Sequence, residues 1–405
     1  MRKLAVVASH PIQYQAPLFR ALADVCDLTV FFCHRQSARA QGDAGFGRAF
    51  DWDIPLLDGY RYEWSENVSR HPGVSSFFGC DTPGIGERLA RGGFDACLVN
   101  GWYLKSYLQA IRAGRALGLR VLLRGDSHLG RHRPAFVRAA KYLPYRWMLG
   151  RVDAHLYVGR ANWEYLRHYG VPEARLHFAP HFVENERFAR GAAVARQSGD
   201  ARALRSAWGS GDDDVVFGFV GKLIPPKRAE DLVEAIAIAR TQEPGIRGVI
   251  VGSGSEEGRL RARATAAAAP IAFAGFKNQS ELPACYGAID ALVLPSAEES
   301  WGLVINEAMA AGVPAIASDA VGAAADLIED DATGYVYAAG DVPGLTSRIV
   351  QLARRLRNDR AVITEAVLRR ISGYSCASAV AGVLAGIESG SAEEALYPSG
   401  GESRA

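Results

Sequence analysis

Residues Ala291–Ala317 read ALVLPSAEESWGLVINEAMAAGVPAIA. Ala291–Leu294 is apolar at every position, as a strand covered by helices on both faces of its sheet must be. A polar loop follows. Next comes an apolar helical stretch that Gly312 closes and Pro314 stops. Ala315–Ala317 then returns to strand composition. Two such strands joined through a helix form one parallel βαβ unit.

The same alternation extends in both directions. Apolar runs recur at Leu4–Ala8, Leu28–Phe32, Ala96–Val99, Val121–Leu123 and His155–Val158, and again at Val215–Val220, Gly248–Val251 and Ile271–Ala274. Helical patterns separate them. In Ala229–Arg240, for example, Leu232, Ile236 and Ala239 share one stripe. The stretch Arg190–Asp214, rich in Ala, Gly, Ser and Asp, divides the two series. The pattern predicts two doubly wound Rossmann-like α/β domains facing across a cleft, with ligands at the carboxyl ends of the strands. The domains are expected at 1–187 and 188–388, with the last helices packing back on the first. A flexible Gly/Ser/Glu-rich tail is expected over 389–405.

Composition narrows the function classes. Lys and Arg total 46 against 44 Asp and Glu, so the net charge of +2 argues against a nucleic-acid binder. The neutrality is uneven: residues 1–187 carry net +8 and residues 188–405 net −6. Six scattered cysteines without a CxxC pair read as reduced thiols. The apolar run after Lys3 is too short for a signal peptide, and Pro270 breaks the stretch Ala264–Phe276. A cytoplasmic chain is expected, placed at the inner face of the membrane. The sequons at Asn67 and Asn278 then carry no sugar.

Several residues point to chemistry. Glu299 stands in the loop after Leu294, and Glu307 follows eight positions later, about 12 Å of rise if the whole stretch is helical. Two carboxylates that far apart hold opposite ends of an extended ligand rather than one metal or proton. Alternatively, Glu299 merely caps the helix. Amides near Gly302 and Leu303 offer a phosphate seat. Upstream, the strand Val215–Val220 delivers Gly221 and Lys222, and Lys227 follows five residues on. Two cations across one tight loop suit a leaving diphosphate. Gly252 and Gly254 form a glycine turn after another strand. Gly275–Leu282, containing Phe276, Lys277 and Glu281, is a turn able to border a nucleobase. No GxGxxG motif follows the first strand of either half, which argues against a dinucleotide oxidoreductase.

In order and spacing, these four pieces resemble the donor half of the retaining glycosyltransferases of family 4, which have the GT-B fold. Ser9–Arg20, Arg124–His128 and Ala179–Glu184 are similar to the first half of bacterial polysaccharide glycosyltransferases of that group. The resemblance implies that Glu307 binds the ribose of a nucleotide sugar and that Glu299, Gly302 and Leu303 contact the donor sugar and diphosphate. It implies that Lys222 and Lys227 hold the diphosphate and that Phe276 and Lys277 border the base. His128 or Asp126 matches the polar residue near the anomeric carbon. His10, Gln13, Tyr14 and His181 fall on the acceptor side. His181 stands where many members carry Asn, and Ser9-His10-Pro11 replaces a glycine pair. The family's retaining reaction implies that a leaving diphosphate oxygen takes the acceptor proton.

The expected activity is transfer of a sugar from a nucleotide sugar to a saccharide or lipid-linked acceptor, in bacterial polysaccharide or glycoconjugate synthesis. The alternatives are a non-hydrolysing nucleotide-sugar epimerase of the same fold or a nucleotide-sugar-binding protein without turnover. No metal or cofactor is expected. Asp51-Trp52-Asp53 matches a DxD metal motif only superficially. Between Arg131 and Arg151, the cations Arg131, Arg133, Arg138, Lys141, Arg146 and Arg151 interleave with aromatic and aliphatic residues and no acid. That pattern fits an anionic membrane or phosphate-bearing acceptor; the simpler reading is core-facing apolar groups with a solvated basic face.

Overall fold

The computed structural model describes residues 1–37, 45–130 and 135–389. The predicted tail beyond 389 and the cations Arg131 and Arg133 lie outside them. The chain forms two compact units that interleave in sequence. Met1–Arg35, Leu57–Pro180 and the chain from Ala377 make up the first. Gln36–Leu56 and His181–Cys376 make up the second.

The first unit is built on a seven-stranded sheet: β1 (Lys3–Ala8), β2 (Asp27–Phe32), β3 (Arg61–Trp64), β4 (Ala96–Asn100), β5 (Arg120–Gly125), β6 (Ala154–Tyr157) and β7 (Leu176–Phe178). The order is β3-β2-β1-β4-β5-β6-β7, and every pairing is parallel. The order reverses beside β1, which makes the β1/β4 end of the sheet its switch point. Alternate residues Ala5, Val7, Cys97, Val99, Val121 and Leu123 point into one core. The helix Cys376–Glu388 joins this unit through small residues. A Cβ on Gly382 would lie 2.0 Å from the Phe178 carbonyl, and Arg120 Nε donates to the Gly386 carbonyl at 2.6 Å.

The second unit has a six-stranded parallel sheet: β8 (Val215–Val220), β9 (Ile246–Val251), β10 (Ile271–Gly275), β11 (Ala291–Leu294), β12 (Ala315–Ser318) and β13 (Gly334–Tyr337). Its order is β10-β9-β8-β11-β12-β13, with the switch point between β8 and β11. β8, β11 and β12 are buried along their whole length, the burial their unbroken apolar runs demand. Helix Ala229–Gln242 buries the expected stripe Leu232, Ile236 and Ala239. Three strands were not expected from the sequence: β3, β7 and β13. β3 and β7 are short and exposed or half-buried, β3 being the polar sheet edge Arg-Tyr-Glu-Trp, while β13 is a four-residue strand opened by Gly334.

Five of the six cysteines are buried, and none of the six is joined in a disulfide. The run Val342–Glu388 has a window of mean hydropathy 1.2, the composition of a membrane span. A kink at non-helical Asp359 and the break at Gly373–Ser375 divide it, and much of its apolar side is taken up by core packing, including Leu345, Ile349, Leu352 and Val383.

Candidate functional site

In the second unit, the strand ends at the switch point bring the predicted donor-side residues together. β8 runs into Gly221, whose amide donates to the Val251 carbonyl at 3.0 Å. The Leu223 amide donates to the Ser253 carbonyl at 2.9 Å. Two loops are thereby laced side by side, closer than any side chain allows. A Cβ on Gly252 would fall 1.8 Å from the Gly221 carbonyl oxygen, and one on Gly254 2.3 Å from that of Leu223. Both glycines also hold positive φ, 146° and 159°.

The loop continues through a short turn, Pro225–Lys227, to Arg228, which has φ of 48° and a two-pronged ion pair with Asp231. Across the switch point the Ala297 amide donates to the Pro226 carbonyl at 2.8 Å. That contact brings the loop after β11 against the lysine loop. There the Lys227 ammonium donates to the Glu299 carboxylate, both side chains about four-fifths buried. Burial and the nearby Lys222 pull the Lys227 pKa down toward about 8, while the touching Glu299 carboxylate opposes the shift. Burial also lowers Lys222.

Glu299 does not cap the following helix. Its backbone bridges to Val321, and the N-cap of helix Leu303–Ala310 is Gly302 at φ 100°, without a side-chain cap bond. Glu299 to Glu307 is therefore half loop and half helix, so the 12 Å rise for a continuous helix does not apply. Glu307 sits inside, with the Tyr286 hydroxyl donating to its Oε2 at 2.7 Å. Burial raises its pKa to about 7, with Tyr286, Arg187 and Gln279 pulling the other way. Arg187 is held by two bonds to Gln279, of 2.7 and 2.8 Å. Tyr286, Arg187 and Gln279 were not among the sequence candidates, and no local motif marks them.

The end of β10 carries Gly275 at φ 71°, then Phe276 and Lys277. Lys277 pairs with Glu281 at 2.9 Å, and Glu281 also accepts from the Asn278 amide at 3.0 Å. Glu281 thus stabilises the turn through its own side chain. Asp53 of the DxD-like motif accepts from both the amide and the hydroxyl of Ser280, and the Asp51 carbonyl accepts from Asn278 Nδ2 at 2.8 Å. Among the described residues no group of three or more His, Cys, Asp or Glu is arranged to hold a metal. His181, expected on the acceptor side, lies in this unit. Its carbonyl accepts from Asn306 Nδ2 at 3.2 Å and its ring stands 5.6 Å from that of Trp301.

The first unit gathers another set at the ends of β1 and β5. Ser9 Oγ and His10 Nδ1 are 2.9 Å apart. Burial, with His34 adding to it, lowers the His10 pKa to about 4, so the ring is neutral at pH 7. The Tyr14 hydroxyl is pushed up to about 12 by burial and then by Asp126. Buried Arg124 donates to the carbonyls of Ala179 and Pro180 and interacts electrostatically with both Tyr14 and Asp126. His128 follows Ser127, whose carbonyl accepts from Asn162 at 2.8 Å. Gln13 precedes Tyr14 in the turn before helix Ala16–Val25.

Residues 200–366 match the family Glycosyl transferases group 1. This segment is a glycosyl transferases group 1 domain. It contains both lysines, both glutamates and the four strand-end loops just described. A GDP-mannose-dependent alpha-mannosyltransferase of Mycobacterium tuberculosis is 32% identical over 245 residues, 60% of this chain and 58% of that protein. A D-inositol 3-phosphate glycosyltransferase of Mycobacterium bovis is 31% identical over 185 residues, 44% of this chain and 38% of the other. The chain thus spans about half the length of these relatives. Among solved structures, a glycosyltransferase from Rickettsia africae superposes with TM-score 0.72 at 14% identity, covering 98% and 100% of the two chains. Anabaena HepE in complex with UDP and glucose superposes with TM-score 0.67 at 15% identity, covering 95% and 98%. The chain shares with these structures the GT-B fold of two parallel Rossmann-like sheets.

Proposed function

We propose that the chain is a retaining glycosyltransferase that takes a sugar from a nucleotide-sugar donor. The observation that carries this reading is the meeting of Lys222, Lys227 and Glu299 at the β8/β11 switch point, with buried Glu307 on the helix behind them. Relatives and fold neighbours are in keeping with it, one named for GDP-mannose and one solved with UDP and glucose.

The residues divide the work by charge. Lys222 and Lys227 neutralise the diphosphate as the bond to the sugar breaks, which lowers the barrier where charge develops. Lys227 holds Glu299. With donor, the lysine turns to phosphate and the carboxylate becomes available to sugar hydroxyls. Glu307, steadied by Tyr286, accepts from the ribose hydroxyls. Transfer with retention follows when a leaving diphosphate oxygen takes the acceptor proton on the same face, the protein supplying orientation. Asp126 or His128 serves near the anomeric carbon, and His10, Gln13, Tyr14 and His181 face the acceptor. The two lysines supply the charge that a metal supplies elsewhere, so the reaction is metal-independent.

The acceptor is a saccharide or lipid-linked sugar of bacterial polysaccharide or glycoconjugate synthesis, used at the cytoplasmic face of a membrane. Helix Ala135–Leu149 supports that location. Phe136, Leu143 and Trp147 are 75%, 71% and 62% exposed on one stripe, and Arg151 stacks 3.9 Å from the Trp147 ring centre. The function is tested by offering UDP-, GDP- and ADP-sugars and measuring donor hydrolysis with and without EDTA. One donor is consumed equally in both conditions by the wild type and far more slowly by Glu307→Ala. Consumption of none overturns the proposal.

A further inference from the structure

The segment Gly45–Asp53 comes from the first half of the sequence but is packed within the second unit. It touches three successive strand ends. After β9, Ser253 Oγ donates to the Phe46 carbonyl at 2.8 Å. After β10, the Phe276 ring meets Phe46 at 5.3 Å and Phe50 at 4.8 Å, and Asp51 and Asp53 take the bonds from Asn278 and Ser280. After β8, the Lys222 ammonium stands 5.1 Å from the centre of the Phe46 ring. Phe50 is buried and fastens the strap, whereas Phe46 is only partly buried. Arg48 lies 5.0 Å from the centre of the Phe276 ring.

We propose that this strap is part of the nucleotide seat and that Phe46 positions the nucleobase by stacking. The proposal rests on the nucleotide-sugar reading above. Carboxyl ends of parallel strands next to a switch point are where such sheets bind ligands, and the strap is built across three of them. Phe46 lies against both the cation assigned to the diphosphate and the ring assigned to the base, the two ends between which a nucleoside diphosphate extends. A base offers a π-face whatever its identity, so a partly exposed phenylalanine there adds affinity without demanding one base. The Asp51-Trp52-Asp53 motif then acts as the clasp of the strap, through the Asp51 carbonyl and the Asp53 carboxylate.

Calorimetric titration with UDP, GDP, ADP and inorganic pyrophosphate tests the assignment on wild type, Phe46→Leu and Phe46→Trp. Leucine keeps the apolar packing and removes the π-face, so the melting temperature is expected to stay constant. Phe46→Leu weakens the bound nucleoside diphosphate about five- to a hundredfold. It leaves pyrophosphate affinity unchanged, and Phe46→Trp restores nucleotide binding. Unchanged or tighter nucleotide binding by Phe46→Leu overturns the strap's role, tighter binding marking it as a plug. Equal loss of pyrophosphate overturns it too, because the ring then acts on Lys222 alone. Failure of the wild type to bind any nucleoside diphosphate is the distinct result that removes the nucleotide reading itself.

Discussion

The Lys227 ammonium donates to the Glu299 carboxylate, although 72 residues separate them in sequence. The contact joins the loop after β8 to the loop after β11, the two sides of the sheet's switch point. Each group holds the other's charge in a site where both are mostly buried. A diphosphate would release Glu299 by competing for the same ammonium.

Lys227→Ala therefore has two separable effects. It removes a cation from the developing charge, and turnover of the donor falls about 10²–10³-fold. It also strands a buried carboxylate, destabilising the fold by about 1–3 kcal/mol. Steady-state kinetics read the first and urea denaturation the second. A variant that keeps wild-type turnover removes Lys227 from the chemistry.

Glu307 predicts an unusual pH dependence of stability. Its pKa is raised to about 7 in the folded protein by burial, above the ordinary value of 4.5. Between these values the folded state holds the extra proton, so this group's contribution to stability falls as pH rises through the interval. Above pH 7 the cost is on the order of 3 kcal/mol. Glu307→Gln keeps an acceptor for the Tyr286 hydroxyl and escapes that cost. It is expected to melt a few degrees above the wild type at pH 8, to match it at pH 4.5, and to bind donor more weakly. Equal melting at both values contradicts the assignment.

The laced glycine loops give a stability contrast. Gly252→Ala must push the Gly221 carbonyl aside from a 1.8 Å overlap in a positive-φ position, and a loss of several kcal/mol or failure to fold is expected. Gly258, in helix Glu257–Ala266, has open space where its Cβ would go. Gly258→Ala is expected to stabilise by about 0.5–1 kcal/mol. Chemical denaturation of both variants checks the pair.

Membrane contact is tested on vesicles. Replacing Phe136, Leu143 and Trp147 together by Ser is expected to abolish binding to vesicles rich in anionic lipid while leaving donor hydrolysis in solution unchanged. If the wild type floats with neither anionic nor neutral vesicles, the helix is only a solvated face.

Much of this molecule was legible before its structure. β8, β11 and β12 announce themselves because strands covered on both faces are apolar throughout. β3 does not, because an exposed edge strand places no such demand on Arg61–Trp64. The lysines and glutamates stood out because loop-and-helix spacing is local. Tyr286 lies 21 residues from Glu307, Arg187 is 92 from Gln279, and Asp53 is 227 from Ser280. Each of these partners is chosen by the packing of distant segments, and no periodicity records that. The DxD-like motif is plain in the sequence, but the clasp of Asp53 on Ser280 became apparent only in three dimensions.

We propose that this protein breaks the bond between a sugar and a nucleoside diphosphate with retention. Time-resolved proton NMR of each nucleotide sugar incubated with the protein tests it directly, water serving as acceptor. The account predicts equal amounts of nucleoside diphosphate and free sugar, the sugar appearing first in the donor's own anomeric form, and both products lost in Lys227→Ala. Conversion to an epimeric nucleotide sugar, release of the inverted anomer, or no consumption of any donor would contradict it.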